Sequence, residues 1–171
     1  MNKLGNTIRA AVKEKQTVAR DGTAVLDLID GVKFLETKNV MTRNGVTTEL
    51  FKNYEVDIKH MIHVVFRPGG IAAWNLHMGQ TDHIFATMGT LRVVLYDDRI
   101  ESPTHGKLNN LILSPQRPAL LVIPPRVWHG VQNLETKESG FINFFDNAFS
   151  HEDPDNWRLP FDSDLIPYRF K

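Results

Sequence analysis

An all-β domain, a sandwich or barrel, is predicted by three features of the sequence. Beyond Gly22 the chain divides into short runs rich in Val, Ile, Leu and Phe. Gly, Asn-Gly, Asp-Gly or Pro interrupts these runs every few residues, which is the punctuation of strands and tight turns. Only one stretch, near the N-terminus, spaces its apolar residues as a helix does. Many short strands with a single early helix are the pattern of a β-sandwich or barrel.

The early stretch runs from Asn6 to about Ala19. Ile8, Ala11, Val12, Val18 and Ala19 fall at roughly helical spacing, Asn6 or Thr7 can cap the start, and Asp21-Gly22 can stop it. One short amphipathic helix is expected there, packed on the barrel. The expected strands then follow in order: Val25 to Leu28, Val32 to Leu35, Val46 to Phe51, Ile58 to Phe66, Ile71 to Leu76, His83 to Met88, Leu91 to Tyr96, Leu108 to Leu113, Leu120 to Ile123, Trp128 to Gln132 and Phe141 to Phe145. After Gly89 the alternation of Leu91, Val93 and Leu95 with Arg92, Val94 and Tyr96 sends one face to a core and leaves the other mixed. The tail from Ser150 combines three prolines with aromatics and charges, so it reads as loop with a short turn or helix. Trp157, Phe161 and Tyr168 are its candidates to cover an open barrel edge.

A chain of 171 residues suits one domain with a sizeable core, residues 1–22 forming a helical extension and 150–171 a covering tail. Twenty basic residues balance twenty acidic ones, so no overall field recruits nucleic acid or anionic lipid. Small molecules and other subunits are the expected partners. The absence of cysteine excludes disulfides, thiolate metal sites and a cysteine nucleophile, and fits a cytoplasmic protein. Charges scattered through the first 22 residues do not fit a signal peptide, and no later run is long enough to span a bilayer.

Imidazole titrates nearest neutrality, so the seven histidines are the first candidates for acid, base or metal ligand. His60 and His63 lie three apart on an expected strand and point to opposite faces, which assigns both to structure or an interface. His105 sits in a turn and His151 in the acidic tail, where exposure is expected. His77, His83 and His129 remain, and His83 has the stronger structural reading. Asp82 is either functional or a turn residue leading into a strand.

The spacing of His77, Asp82 and Gly89, and of Pro124, His129 and Asn133, resembles the two motifs of the cupin superfamily, which are carried on a jelly-roll barrel. In metal-binding cupins these positions hold imidazoles and a carboxylate. Here they read Asn75, His77, Asp82 and His129. Two histidines and a carboxylate make a facial set for a divalent ion, while Asn75 replaces the first histidine. Metal binding through His77, Asp82 and His129 is therefore the alternative, and no cofactor the first expectation.

A closer resemblance covers most of the chain. NGVTTELF, WNLHMGQ, GTLRVVLYDDRIESPTHG and LSPQRPALLVIPPRVWHGVQNL follow in order the pattern of the dTDP-4-dehydrorhamnose 3,5-epimerase family, metal-free cupins. The resemblance implies a cupin jelly-roll, a nucleotide-sugar substrate, a homodimer, and inversion of a carbon beside a ketone. That chemistry needs a base for the α-proton, a group to stabilise the enolate, and an acid for the opposite face. By resemblance His77 is the base and Asp162 the aspartate that orients it. His129 lines the sugar site, Glu49 lies near the nucleotide end, and Trp74, Asn75, Gln80 and Asn143 line the pocket. The departures are specific: Trp74 and Asn44 stand where the family has arginines, Asp82 where it has the enolate-stabilising lysine, and Asn143 where it has the acidic tyrosine. At most one inverted centre is then expected, or proton exchange without inversion.

Overall fold

The computed structural model describes residues 11–51 and 57–171. Among them twelve strands and no helix are found. In order they are β1 (Lys33–Glu36), β2 (Asn39–Thr42), β3 (Gly45–Thr48), β4 (His60–Phe66), β5 (Ile71–Leu76), β6 (Asp82–Met88), β7 (Leu91–Tyr96), β8 (Leu108–Leu113), β9 (Ala119–Ile123), β10 (Trp128–Asn133), β11 (Ser139–Phe145) and β12 (Trp157–Arg158). One antiparallel sheet has the order β1-β9-β6-β11-β4 and the second β12-β5-β10-β7-β8, with β2 and β3 as a separate hairpin.

The inner strands of both sheets are covered on both faces, which explains why β6, β7, β9 and β11 are almost continuously buried. Leu91, Val93 and Leu95 of β7 enter the core between the sheets, where Ile84, Leu121, Val131 and Phe141 meet them. Val94, on the opposite face of β7, packs with Trp74 and Ile166 under Leu159, Tyr168 and Phe170 of the tail. Phe85, Leu120 and Phe144 form a third cluster on the outside of the first sheet, covered by Leu35, Leu50 and Phe51.

The expected N-terminal helix is not formed. Its residues 6–10 lie outside the described ones, 11–17 have no regular structure, and Val18 bridges to Ala24 across a turn at Asp21-Gly22. Among the described residues of the apolar stripe Val12 is 92 % exposed and Val18 46 %, so they find no surface to bury against, and an isolated helix this short is marginal in water. Val25–Leu28 is not a strand either. The Asn109 side chain holds this stretch, accepting from Ile29 N at 2.8 Å and donating to Asp27 O at 2.9 Å, in place of a backbone ladder. In the tail, Tyr168 packs edge-on against Trp74, whereas Trp157 and Phe161 remain exposed. The open edge of the second sheet is closed instead by the backbone of β12, which pairs with β5.

Candidate active site

Between the sheets lies a cleft of about 480 Å³. Its interior is apolar, walled by Val64, Phe66, Ala72, Ile84, Val131 and Phe141. His60, Asn75, His77, Gln80, Asp82, His129, Asn143, Asn156 and Arg158 also line it, with Phe145 and Phe149.

Strand alternation delivers most of these side chains. Asp82 and Ile84 of β6 point inward while His83 and Phe85 point out; on β11, Asn143 and Phe145 point in and Phe144 out. His83 is accordingly outside the cleft, stacked on Phe144 with its Nδ1 3.1 Å from that residue's carbonyl. The β5 strand breaks the alternation. His129 pairs with Asn75 but Val131 with Ala72, so β5 carries one extra residue, a bulge containing the cis peptide Ala73–Trp74. Ala72, Asn75 and the following His77 thereby share the cleft, and Trp74 turns into the tail cluster.

Around Asp82 the polar groups converge. Its Oδ2 is 3.2 Å from His129 Nε2 and 3.5 Å from His77 Nε2. Its Oδ1 accepts from Gln80 Nε2 at 2.8 Å and from Asn143 Nδ2 at 3.2 Å. The two imidazole rings lie 5.3 Å apart. Each turns Nδ1 to a main-chain carbonyl: His77 to Asp155 O at 2.5 Å and His129 to Val127 O at 3.2 Å. Burial holds His129 below the usual imidazole range, against the pull of the Asp82 charge, and His77 adds to the lowering.

A second layer fixes the loop after β5. The Asp155 carboxylate accepts from Met78 N and Gly79 N, both at 2.7 Å, and Arg126 N donates to His77 O at 2.7 Å. Burial would raise the Asp155 carboxyl, but these two N–H groups and the neighbouring His77 outweigh it and hold it below the ordinary carboxylate range.

Thus His77, Asp82, His129, Asn75, Gln80 and Asn143 come together. Trp74, Glu49 and Asp162 do not join them. Trp74 is fully buried on the other side of β5, Glu49 lines a separate surface groove with Glu36 and Lys38, and Asp162 is exposed in a tail turn. Asp155, not Asp162, is the tail residue at His77. His60, assigned to structure or an interface from its spacing to His63, instead lines the cleft. Only His63 of the pair turns outward, 3.3 Å from Thr87 Oγ1. Arg158, the one Lys or Arg among the described lining residues, was missed because a strand of two residues leaves no periodic signal.

The two-sheet fold, with imidazoles and a carboxylate at one end of its interior, defines a cupin with an enzyme-like cleft. The chain is 35 % identical over 125 residues to a probable low-salt glycan biosynthesis epimerase of Haloferax volcanii, covering 70 % of this chain and 80 % of that protein. It is 31 % identical over 146 residues to a spore coat polysaccharide biosynthesis protein of Bacillus subtilis, covering 84 % and 97 %. Among solved structures, a dTDP sugar isomerase from Desulfovibrio desulfuricans superposes with a TM-score of 0.78 at 26 % identity, over 85 % of this chain and 94 % of that one. The dTDP-4-dehydrorhamnose 3,5-epimerase of Elizabethkingia anophelis shares the fold with a TM-score of 0.73 at 18 % identity, over 86 % and 85 %. No protein-family model matches the chain. The chain belongs to the dTDP-4-dehydrorhamnose 3,5-epimerase-like family of cupins.

Proposed function

We propose that this protein is an epimerase or isomerase acting next to the ketone of a 4-keto-6-deoxy nucleotide sugar, with His77 as general base. The observation that carries the assignment of the base is the contact between His77 Nδ1 and the Asp155 carbonyl. A carbonyl only accepts, so Nδ1 bears the proton and Nε2 presents its lone pair inside the cleft. The tautomer is thus set by the hydrogen bond, as a base for a carbon-bound proton requires.

His77 Nε2, His129 Nε2 and Asp82 Oδ2 all present lone pairs to one another, an arrangement that needs a positive charge between them. Of the two imidazoles, His77 makes the longer contact with Asp82 Oδ2, 3.5 Å against 3.2 Å for His129, so its Nε2 is the one freer to accept a proton from substrate. Gln80 and Asn143 hold the other carboxylate oxygen, so Asp82 acts by orienting the imidazoles. Asn143 itself cannot supply a proton of useful acidity, so at most one inverted centre is expected, or proton exchange without inversion. The apolar interior suits a deoxygenated sugar carbon, and Arg158 offers a cation to the diphosphate. A soluble nucleotide sugar as substrate suits the cytoplasm. Met61 and Val65, exposed beside the open edge of β4, suit a homodimer contact. Among the described residues no helix is long and apolar enough to cross a membrane. The test is incubation with dTDP-4-keto-6-deoxyglucose in deuterium oxide. Exchange at one carbon beside the ketone is expected; no exchange by well-folded protein refutes the assignment.

The same cluster favours a second reading, a cupin that binds a divalent ion or a small polar ligand. One ligand atom from each of His77, Asp82 and His129 lies within 4.8 Å of the others. Both imidazoles are oriented through Nδ1 by carbonyls, as ligating histidines are, and two histidines with one carboxylate fit a divalent cation. Bound there, the ion would supply Lewis acidity toward a ketone oxygen.

A further inference from the structure

We propose that His60 is the general acid that returns a proton to the face of the carbon opposite His77. This rests on the reading of His77 as base. Inversion needs a base on one face of the carbon and a proton donor on the other, and His77 and His129 cannot be those two. Their rings are 5.3 Å apart and both Nε2 atoms address the same Asp82 oxygen, so they occupy a single end of the cleft.

The register of the first sheet shows what occupies the other end. Phe145 on β11 pairs with Asp82 of β6 on one side and with His60 of β4 on the other. Residues paired directly across antiparallel strands share a face, so Asp82, Phe145 and His60 form one row along the cleft wall, and all three line it. Two strand spacings separate the ends of that row, about 10 Å of backbone. A sugar ring laid over Phe145 therefore has the His77 cluster on one side and His60 on the other.

His60 also has the properties the role requires. It is half-buried, and its ring is held edge-on by Phe145 at 5.7 Å and Phe149 at 6.4 Å. Among the described residues its nitrogens have no hydrogen-bond partner, so they are available to a ligand. The remaining polar groups at this part of the wall cannot replace it. Asn143 is an amide, and the guanidinium of Arg158 does not release its proton near neutrality.

The step balances as a proton transfer. The C–H bond beside the ketone breaks to His77 Nε2, its electrons form the enolate, and a new C–H bond forms on the other face with the proton of the His60 imidazolium. His60 ends neutral and His77 protonated, and exchange with water resets both.

His60→Gln separates this proposal from the assignment of the base. The proton on His77 can return to the face it left, so removing the acid stops inversion without stopping exchange. In deuterium oxide with dTDP-4-keto-6-deoxyglucose, His60→Gln is expected to lose inversion at least 100-fold, within the usual range for general acid catalysis, while exchange falls less than tenfold. His77→Asn is expected to lose both. Retained exchange also shows that His60→Gln is folded. Inversion at the wild-type rate in His60→Gln overturns the proposal, as does an equal loss of inversion and exchange, which would assign His60 to binding. No exchange by the wild-type protein would instead refute the base on which it rests.

Discussion

Asp155→Ala removes no atom that touches the cleft base directly, since His77 Nδ1 meets the main-chain carbonyl of Asp155. What the substitution removes is the carboxylate that places that carbonyl, by accepting from Met78 N and Gly79 N at 2.7 Å each. Hydrogen bonds to a charged group contribute about 1.5 to 3 kcal/mol each, and exposure of Met78 and Gly79 puts both near the lower limit, roughly 3 kcal/mol together. If half of that holds the carbonyl against Nδ1, about 1.4 kcal/mol, the productive imidazole orientation becomes tenfold rarer. A tenfold slower exchange of deuterium into a 4-keto sugar nucleotide is therefore expected, with KM changed less than threefold. Asp155→Asn keeps one acceptor and is expected to lose about half as much free energy. In ¹⁵N spectra of the wild-type protein the neutral His77 is expected as the Nδ1–H form, and in Asp155→Ala as a mixture. Wild-type exchange rate together with an unchanged tautomer in Asp155→Ala would refute the reasoning.

Two other outcomes are expected. Asp97 is fully buried and accepts from Arg99 Nε, Arg99 Nη2, Ser102 Oγ and Thr104 Oγ1 at 2.6–2.9 Å. Burial would raise its pKa, but these partners outweigh burial and hold it well below the usual carboxylate range. Because its folded pKa is depressed, its stabilisation is complete above the unfolded value of about 3.9 and is lost as pH falls toward the folded value. Asp97→Asn should lower Tm by roughly 6–12 °C at neutral pH, from about 3 kcal/mol for breaking a buried pair, and should flatten the acid limb of Tm against pH. Elemental analysis distinguishes the two readings of the cleft. Exchange that survives chelation fits the epimerase with His77 as base, whereas a stoichiometric divalent ion that is lost in His77→Ala fits the metal-binding cupin.

The strands were legible wherever apolar runs are bounded by turn residues. Ile71–Leu76, Leu91–Tyr96 and Leu108–Leu113 have the limits that the sequence suggests, because burial on one or both faces imposes the pattern. Where burial is absent, the pattern fails. Asn39–Thr42 is an exposed strand without an apolar period, and Val25–Leu28 is an apolar stretch that Asn109 holds outside any sheet. At the site, motif spacing located His77, Asp82 and His129 because their strands are regular or adjoin tight turns. Trp74 was placed in the pocket by resemblance, at a position where the family has an arginine, whereas alternation from His77 and Asn75 turns it to the opposite face and into the tail cluster. Asp155 and Arg158 lie about eighty residues from the cleft segment of β5 and act through a carbonyl and a two-residue strand, for which the sequence has no local signature. His60 needed the β4–β11–β6 register, a tertiary fact.

The most direct test of the central claim is the rate at which His77→Asn incorporates solvent deuterium into dTDP-4-keto-6-deoxyglucose, beside the wild-type protein and at matched thermal stability. Asparagine keeps a donor for the Asp155 carbonyl but has no basic nitrogen. A fall of at least 100-fold is expected for loss of a general base. Exchange at the wild-type rate in the folded variant would show that another group removes the proton, and would contradict the assignment of His77.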